Sequence, residues 1–157
     1  MGGTLYIMPP RSDIFLEKIV LLQLMEDRVE NIDEVILHWR ESAEQDFSTM
    51  QNLLKSRDYS WALFLGHLVL EKLLKALYVK KFQAHAVFSH DLLRFAKKIE
   101  LGLSADYEEW LDEITTFNLN ARYDSFKQNF HQLCTKEFTE KWVARIETLR
   151  KWLINQF

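Results

Sequence analysis

Apolar residues recur every three or four positions along most of the chain, which is the spacing of one face of an α-helix. The clearest such series is Ile36, Trp39, Ala43, Phe47, Met50 and Leu54. The pattern predicts helices over about residues 13–30, 34–55, 59–82, 92–99 and 105–117, and a last helix from Thr135 or Lys136. Residues 118–134 show no such period and are predicted to be irregular.

Short polar residues stand immediately before most of these segments, where a helix leaves backbone amides without partners. The candidate N-caps are Ser12, Asp33, Ser89 or Asp91, and Ser104. We therefore interpret His90 and Asp91 as structural residues at a helix start. Gly102 is expected to end the fourth helix, because glycine readily adopts the left-handed backbone of a C-cap.

The helix predicted from Tyr59 to Phe82 is apolar on nearly every side, which is typical of the central helix of a bundle. Its predicted core residues are Leu68, Leu73 and Leu77. Its polar residues Ser60, His67, Glu71 and Lys75 follow one narrow stripe. Such a stripe is ordinarily a solvated edge, on which Glu71 and Lys75 form a helical ion pair.

The composition favours an all-α protein, because 4 Gly and 2 Pro are too few for the turns of an all-β chain. The length of 157 residues suits one domain. We expect an extended arm over residues 1–11, in which Pro9 and Pro10 oppose helix formation, and a helical domain over residues 12–157.

The formal net charge of −3 provides no general attraction for nucleic acid or an anionic membrane, so no duplex DNA and no membrane partner is expected. No secretory leader and no membrane-spanning apolar run is visible, and a cytoplasmic location is expected. The single Cys134 cannot form an internal disulfide, and we interpret it as a partly buried thiol. The five tryptophans exceed what one small bundle buries comfortably, which favours a homodimer.

Recognisable enzyme chemistry is absent from the sequence. It contains no phosphate-binding glycine loop and no paired Glu-x-x-His motif of a di-iron bundle. His67 and Glu71 could supply two metal ligands, but two ligands do not make a site, so no metal and no cofactor is expected. The unusual polar cluster is Asn118 to Ser125, which is either a capping loop or an anion or nucleotide site with Arg122 as the phosphate ligand.

Five segments, in order along the chain, resemble the HEPN superfamily of helical domains associated with nucleotide binding. They are His38 to Phe47, Tyr59 to Phe64, the EKLLKAL block at Glu71 to Leu77, SHDL at Ser89 to Leu92, and NARY at Asn120 to Tyr123. The resemblance covers about residues 32–157. It implies an up-and-down bundle of four to five helices, to which the helix over residues 13–30 is an extra N-terminal addition.

The resemblance also implies a homodimer and a nucleotidyltransferase partner, with which many members form a toxin–antitoxin or related module. Some members are ribonucleases in which four to six residues separate an Arg from a His. Eight residues separate Arg122 from His131 here, so this sequence departs from that pattern.

Our leading hypothesis is a binding module that binds a nucleotidyltransferase, or a nucleotide or RNA near Arg122. The candidate ligand-binding residues are Arg122, Tyr123, Asp124, Glu71, Lys75 and Asn120. One alternative is a metal-independent ribonuclease, in which Arg122 would hold the phosphate and His131 would act as general acid and base. The other alternative is a purely structural interaction protein.

Overall fold

The regular elements are α-helices in the computed structural model, which describes residues 31–157 and, before them, Ile19. They are α1 (Ile32–Ser56), α2 (Tyr59–Phe82), α3 (Leu92–Ile99), α4 (Ala105–Arg122), α5 (Asp124–Leu133) and α6 (Lys136–Ile154). The all-α prediction is confirmed. The arm predicted over residues 1–11 and, apart from Ile19, the helix predicted over residues 13–30 lie outside the described residues.

Within residues 31–157, helix α2 is the centre of the bundle and contacts each of the other five helices. Its most extensive interface is with α1 and the second most extensive is with α6. Helices α3, α4 and α5 make smaller interfaces with it. Leu73 and Leu77 are buried as predicted, whereas the prediction for Leu68 is wrong, because this side chain is only half-buried.

Gly66 allows α2 to approach its two neighbours closely. A Cβ atom at this position would lie 2.5 Å from Ile146 Cδ1 of α6 and 3.1 Å from Met50 Sδ of α1. At the shorter distance the Ile146 side chain would have to shift, and the Met50 side chain would have to give way slightly. The glycine therefore allows close packing in the middle of α2, one residue before His67.

In the described part of the chain, three helix starts carry side-chain caps, two of them at residues that the sequence named as caps. Asp91, Ser104 and Thr135 each accept a hydrogen bond from the backbone amide three residues later. The prediction for Asp33 is wrong, because α1 begins at Ile32 after Asn31. Asp33 instead lies in the first turn, where a carboxylate is favourable beside the positive end of the helix dipole.

The end of α3 also differs from prediction. Glu100, rather than Gly102, adopts the left-handed conformation, with φ 62°. Its amide donates to the Lys97 carbonyl, and the Leu101 amide donates to the Ala96 carbonyl, which closes the helix. Lys81 of α2 binds both the Ile99 carbonyl, at 2.6 Å, and the Glu100 carboxylate, at 2.5 Å.

The irregular segment predicted over residues 118–134 is mostly helical. Helix α4 continues to Arg122, the chain bends at Tyr123, and α5 follows at once. The amides of Asn118 and Asn120 suggest a loop because such side chains compete for backbone hydrogen bonds. In the structure Asn118 is 1% exposed and its side chain binds other side chains instead, so the helix is not interrupted.

Candidate functional site

The polar stripe of α2 is buried rather than solvated in its middle. His67 is 0% and Glu71 is 5% exposed, while Lys75 is half-buried. Polar side chains inside a bundle are unfavourable unless each one has a hydrogen-bond partner. Their partners from outside α2 come from α4 and from the connection between α2 and α3, and they define the candidate site.

The tautomer of His67 follows from its two contacts. Its Nε2 lies 3.0 Å from the backbone carbonyl oxygen of His90. Because a carbonyl oxygen only accepts, Nε2 must carry the proton and Nδ1 is left as an acceptor. The side-chain amide of Asn118 lies 3.4 Å from Nδ1 and donates to it. The Glu71 oxygen 3.8 Å from the same Nδ1 is therefore a neighbour and not a hydrogen-bond partner.

Arg122 is held by Asn118, one turn earlier on α4. Arg122 Nε donates to the Asn118 backbone oxygen at 3.1 Å, and Nη2 donates to the Asn118 side-chain oxygen. The guanidinium lies 5.9 Å from the ring centres of both Phe64 and Tyr123. The hydrogen-bond acceptors of Arg122 within the described residues therefore belong to an amide residue rather than to a carboxylate.

Glu71 is the second centre of this buried cluster. It accepts a hydrogen bond from His90 Nδ1 at 2.9 Å and another from Lys75 Nζ at 2.7 Å. Lys75 Nζ also lies 4.9 Å from the ring centre of Trp39 on α1. The predicted helical pair of Glu71 and Lys75 is thus present, but it lies within the bundle and is shared with His90.

Burial and hydrogen bonding shift two pKa values in this cluster. Burial lowers the pKa of His67 below 6.5, although the His90 carbonyl and the charge of Glu71 act in the opposite direction. For Glu71, burial alone would raise the pKa, but hydrogen bonds from His90 and Lys75 outweigh it and hold the pKa below 4.5. At neutral pH the cluster therefore contains a neutral His67 and an ionised Glu71.

We expect the protein to lose stability on acidification in two steps. The pKa of His67 is lower in the folded state than its ordinary 6.5, so the unfolded chain binds a proton first and stability falls once the pH drops below 6.5. Glu71 adds stability that is complete above pH 4.5 and is lost as the pH falls through its lower folded pKa. Thermal melting across this range measures both steps.

The matched variant for this pH dependence is His67→Gln. Glutamine does not titrate, so the step that begins below pH 6.5 should become smaller while the step below pH 4.5 remains. A melting temperature with the same pH profile in the wild type and in His67→Gln would contradict the assignment of the upper step to His67.

A surface cavity of about 450 Å³ lies where the start of α2 meets α5. Its lining residues are Asp58, Ser60, Trp61, Asp124, Lys127, Gln128 and His131. Trp61 is 40% exposed, and Lys127 Nζ lies 5.6 Å from the centre of its ring. The cavity thus combines an accessible indole, a lysine, an imidazole and two carboxylates.

The cavity and Arg122 are connected by aromatic side chains along α2. The rings of Trp61 and Phe64 pack edge to face at 5.7 Å, Arg122 lies over Phe64, and Lys127 lies over Trp61. Arg122, Phe64, Trp61 and Lys127 therefore form a row with a cation at each end and two aromatic rings between them, which we call the cation–aromatic row.

The structure distributes the predicted site residues over four places. Glu71 and Lys75 lie in the buried cluster, while Asp124 and His131 line the cavity. Tyr123, 52% exposed, lies beside Arg122 at the bend between α4 and α5. Asn120 lines a separate shallow depression with Phe126, Asn129, Phe130 and Leu133.

Sequence reasoning missed four residues of this region. It did not identify Asn118 as the hydrogen-bond acceptor of Arg122, or His67 as the acceptor of the Asn118 amide. It also did not place Trp61 and Lys127 in the cavity. His67 carried a signal, because it shares the stripe with Glu71, but its spacing suggested a metal ligand instead. Within residues 31–157, no cluster of three or more His, Cys, Asp or Glu side chains is arranged to hold a metal ion.

Cys134, predicted to be partly buried, is 5% exposed, and burial raises the pKa of its thiol to about 12. It therefore stays protonated at neutral pH, which removes the nucleophilic thiolate form. No helix within the described part of the chain has the length and apolar character needed to cross a membrane.

Comparison with known proteins identifies a family for most of the chain. A family model described as "HEPN domain" matches residues 36–156. No curated protein matches the sequence. Among solved structures, the crystal structure of TT1696 from Thermus thermophilus is similar, with a TM-score of 0.68 and 18% sequence identity over 78% of this chain and 98% of that chain. At this identity the likeness concerns the fold alone.

Proposed function

Because this chain belongs to the HEPN domain family, we propose that it is a HEPN-type binding module whose ligand is a nucleotide or single-stranded RNA. The observation that carries the proposal is the cation–aromatic row of Arg122, Phe64, Trp61 and Lys127. Proteins that bind single strands combine cations, which neutralise phosphates, with aromatic side chains on which bases stack.

The chemistry of the row suggests a division of roles. Arg122 can form a forked pair of hydrogen bonds with a phosphate, and Lys127 offers a second positive charge. The exposed rings of Trp61 and Tyr123 are available for stacking. Asp58 and Asp124 repel phosphate, but their carboxylates accept hydrogen bonds from the amino groups on base edges. A ligand that carries both bases and phosphates fits this mixture better than a bare anion.

The geometry favours binding over the ribonuclease alternative. Cleavage needs a cation and a general acid or base at the same phosphate. His131 lines the cavity together with Lys127 and Asp124, whereas Arg122 is not among the lining residues and lies beyond Trp61 and Phe64. Arg122 and His131 thus do not line one shared cavity, as catalysis at a single phosphate would require.

We expect Trp61→Ala to weaken binding of a fluorescein-labelled single-stranded RNA of about twelve nucleotides by about 1–3 kcal/mol, because one stacking surface is lost. Fluorescence anisotropy at low salt measures the affinity. Phe82→Ala is the matched control, since Phe82 is also an exposed aromatic of α2 (42%) but lies at the opposite end of the helix. Equal losses in the two variants would count against the row as the binding site.

The proposal includes a homodimer. The number of tryptophans, which suggested the dimer from the sequence, is no longer the reason for it. Trp142 is buried and Trp39, Trp110 and Trp152 are half-buried, which leaves Trp61 as the exposed one. Outside the proposed stacking surface, Leu119 of α4 and Phe126 and Leu133 of α5 are apolar and each at least 50% exposed. Apolar surface of this kind is often an interface between protein chains.

Light scattering at micromolar concentration is expected to give the dimer mass, and Phe126→Glu is expected to give the monomer mass, because a charge cannot be buried unpaired at the interface. Leu37→Glu is the control, since Leu37 is equally exposed (54%) but lies on α1. A wild type that is monomeric at this concentration would contradict the dimer.

The family resemblance adds a nucleotidyltransferase partner and a toxin–antitoxin role to this proposal. We first expect a short reading frame for a nucleotidyltransferase next to the coding sequence of this protein. Co-expression of the two proteins followed by size-exclusion chromatography would then give a joint peak, and separate peaks would argue against a stable pair.

A further inference from the structure

One chain of hydrogen bonds leads from Arg122 at the surface to the backbone of the α2–α3 connection. Arg122 donates to the side-chain oxygen of Asn118, the amide of Asn118 donates to His67 Nδ1, and His67 Nε2 donates to the carbonyl of His90. Asn118 and His67 are 1% and 0% exposed, so water does not replace these contacts.

The direction of this chain is fixed at both ends. A guanidinium can only donate and a backbone carbonyl can only accept. If the Asn118 amide were flipped, its NH₂ group would face Arg122 and its oxygen would face the acceptor nitrogen of His67. Both contacts would then be repulsive, so the Asn118 amide and the His67 ring have one arrangement that satisfies every member.

We propose that His67 and Asn118 are positioning residues that hold the Arg122 guanidinium in its ligand-binding orientation, with the His90 carbonyl as their anchor. This role rests on the proposed function, because His67 and Asn118 would hold the cation that contacts the ligand. His90 is itself held in place, since its Nδ1 donates to Glu71 at 2.9 Å.

A purely structural role does not account for the choice of these side chains. Leucine at position 67 would fill similar space in the bundle without the cost of burying an imidazole. Buried polar networks with every member satisfied are specific, because they exclude other arrangements of the same side chains. In this protein the network ends at Arg122, so its single arrangement fixes the orientation of the Arg122 guanidinium at the surface. A long side chain held in advance loses less conformational entropy when its ligand binds.

Three variants separate positioning from packing. His67→Leu keeps the volume but removes both hydrogen bonds of the imidazole. His67→Gln restores them, since one amide can donate to the His90 carbonyl and accept from Asn118. Val69→Ala is the control, because Val69 is also fully buried on α2 but is not in the hydrogen-bonded chain. If His67→Leu does not fold, Asn118→Leu is used instead, since it breaks the same hydrogen-bonded chain at Asn118.

The first readout needs no ligand. The Arg122 Nη–H groups give NMR signals, identified by their loss in Arg122→Lys. Because Nη2 donates to the Asn118 side-chain oxygen, the exchange of its protons with water reports how firmly the chain holds the guanidinium. We expect exchange at least about tenfold faster in His67→Leu, and near-wild-type exchange in His67→Gln and Val69→Ala. The inference is overturned if His67→Leu exchanges as slowly as the wild type, or if His67→Gln exchanges as fast as His67→Leu.

The second readout is the affinity for the same labelled single-stranded RNA. We expect binding about tenfold weaker in His67→Leu and preserved in His67→Gln. If the wild type does not bind RNA while the exchange rates behave as expected, the proposed function fails and the positioning of Arg122 stands. If RNA binds the wild type and His67→Leu equally, Arg122 does not need this support and the positioning role is wrong.

Discussion

Replacing Leu73 by Ala is expected to lower the free energy of unfolding by about 2–5 kcal/mol. Leu73 is 3% exposed on the helix that contacts the other five described helices. Removal of its side chain therefore leaves a cavity where the surrounding helices cannot close the space without moving together. Urea denaturation followed by circular dichroism measures the change.

Leu68→Ala is the matched control for Leu73→Ala. It removes the same atoms from the same helix, but Leu68 is only half-buried, so a smaller loss of stability is expected. A loss below about 1 kcal/mol for Leu73→Ala, or a larger loss for Leu68→Ala, would show that the buried faces of α2 are assigned incorrectly.

Arg122→Ala is expected to weaken binding of single-stranded RNA by about 1.5–3 kcal/mol, the range for a hydrogen bond to a charged group. Stability should fall by less, because the guanidinium is exposed and its acceptors belong to Asn118 of the same helix. Anisotropy titration and thermal melting measure the two effects on the same sample.

Arg40→Ala is the control for charge, since it removes an exposed arginine of α1 that lies 4.6 Å from the ring of Phe157. Binding should change little in this variant. If Arg122→Ala unfolds the protein, or binds RNA as tightly as Arg40→Ala, then Arg122 is a structural residue and not a ligand of phosphate.

Periodicity and capping chemistry predicted most of the fold. The bounds of α2 and α3 and the caps at Asp91 and Ser104 agree with the pattern because each depends on neighbouring residues along the chain. The errors arise where contacts between residues far apart along the chain determine the local structure. Glu100 adopts the left-handed conformation that ends α3 and is in contact with Lys81, nineteen residues earlier, and local turn preferences do not contain such a contact.

The candidate site was less predictable for the same reason. Arg122 stood out as a cation in a polar cluster, but Asn118 looked like a loop residue because its partner His67 is 51 residues away. The stripe of α2 looked like a solvated edge because burial of Glu71 depends on hydrogen bonds from His90 and Lys75. Spacing along one helix indicates which residues share a face, but not what covers that face.

The most direct test of the cation–aromatic row is a titration of the isotope-labelled wild-type protein with the unlabelled single-stranded RNA, followed by NMR. We predict that the Trp61 indole N–H and the Arg122 Nε–H signals shift together, while the Trp152 indole on α6 does not. The same sequence as a duplex should cause smaller shifts, because its bases are not free to stack on Trp61. No shift at millimolar RNA, or shifts centred on Trp152, would contradict the proposed binding site.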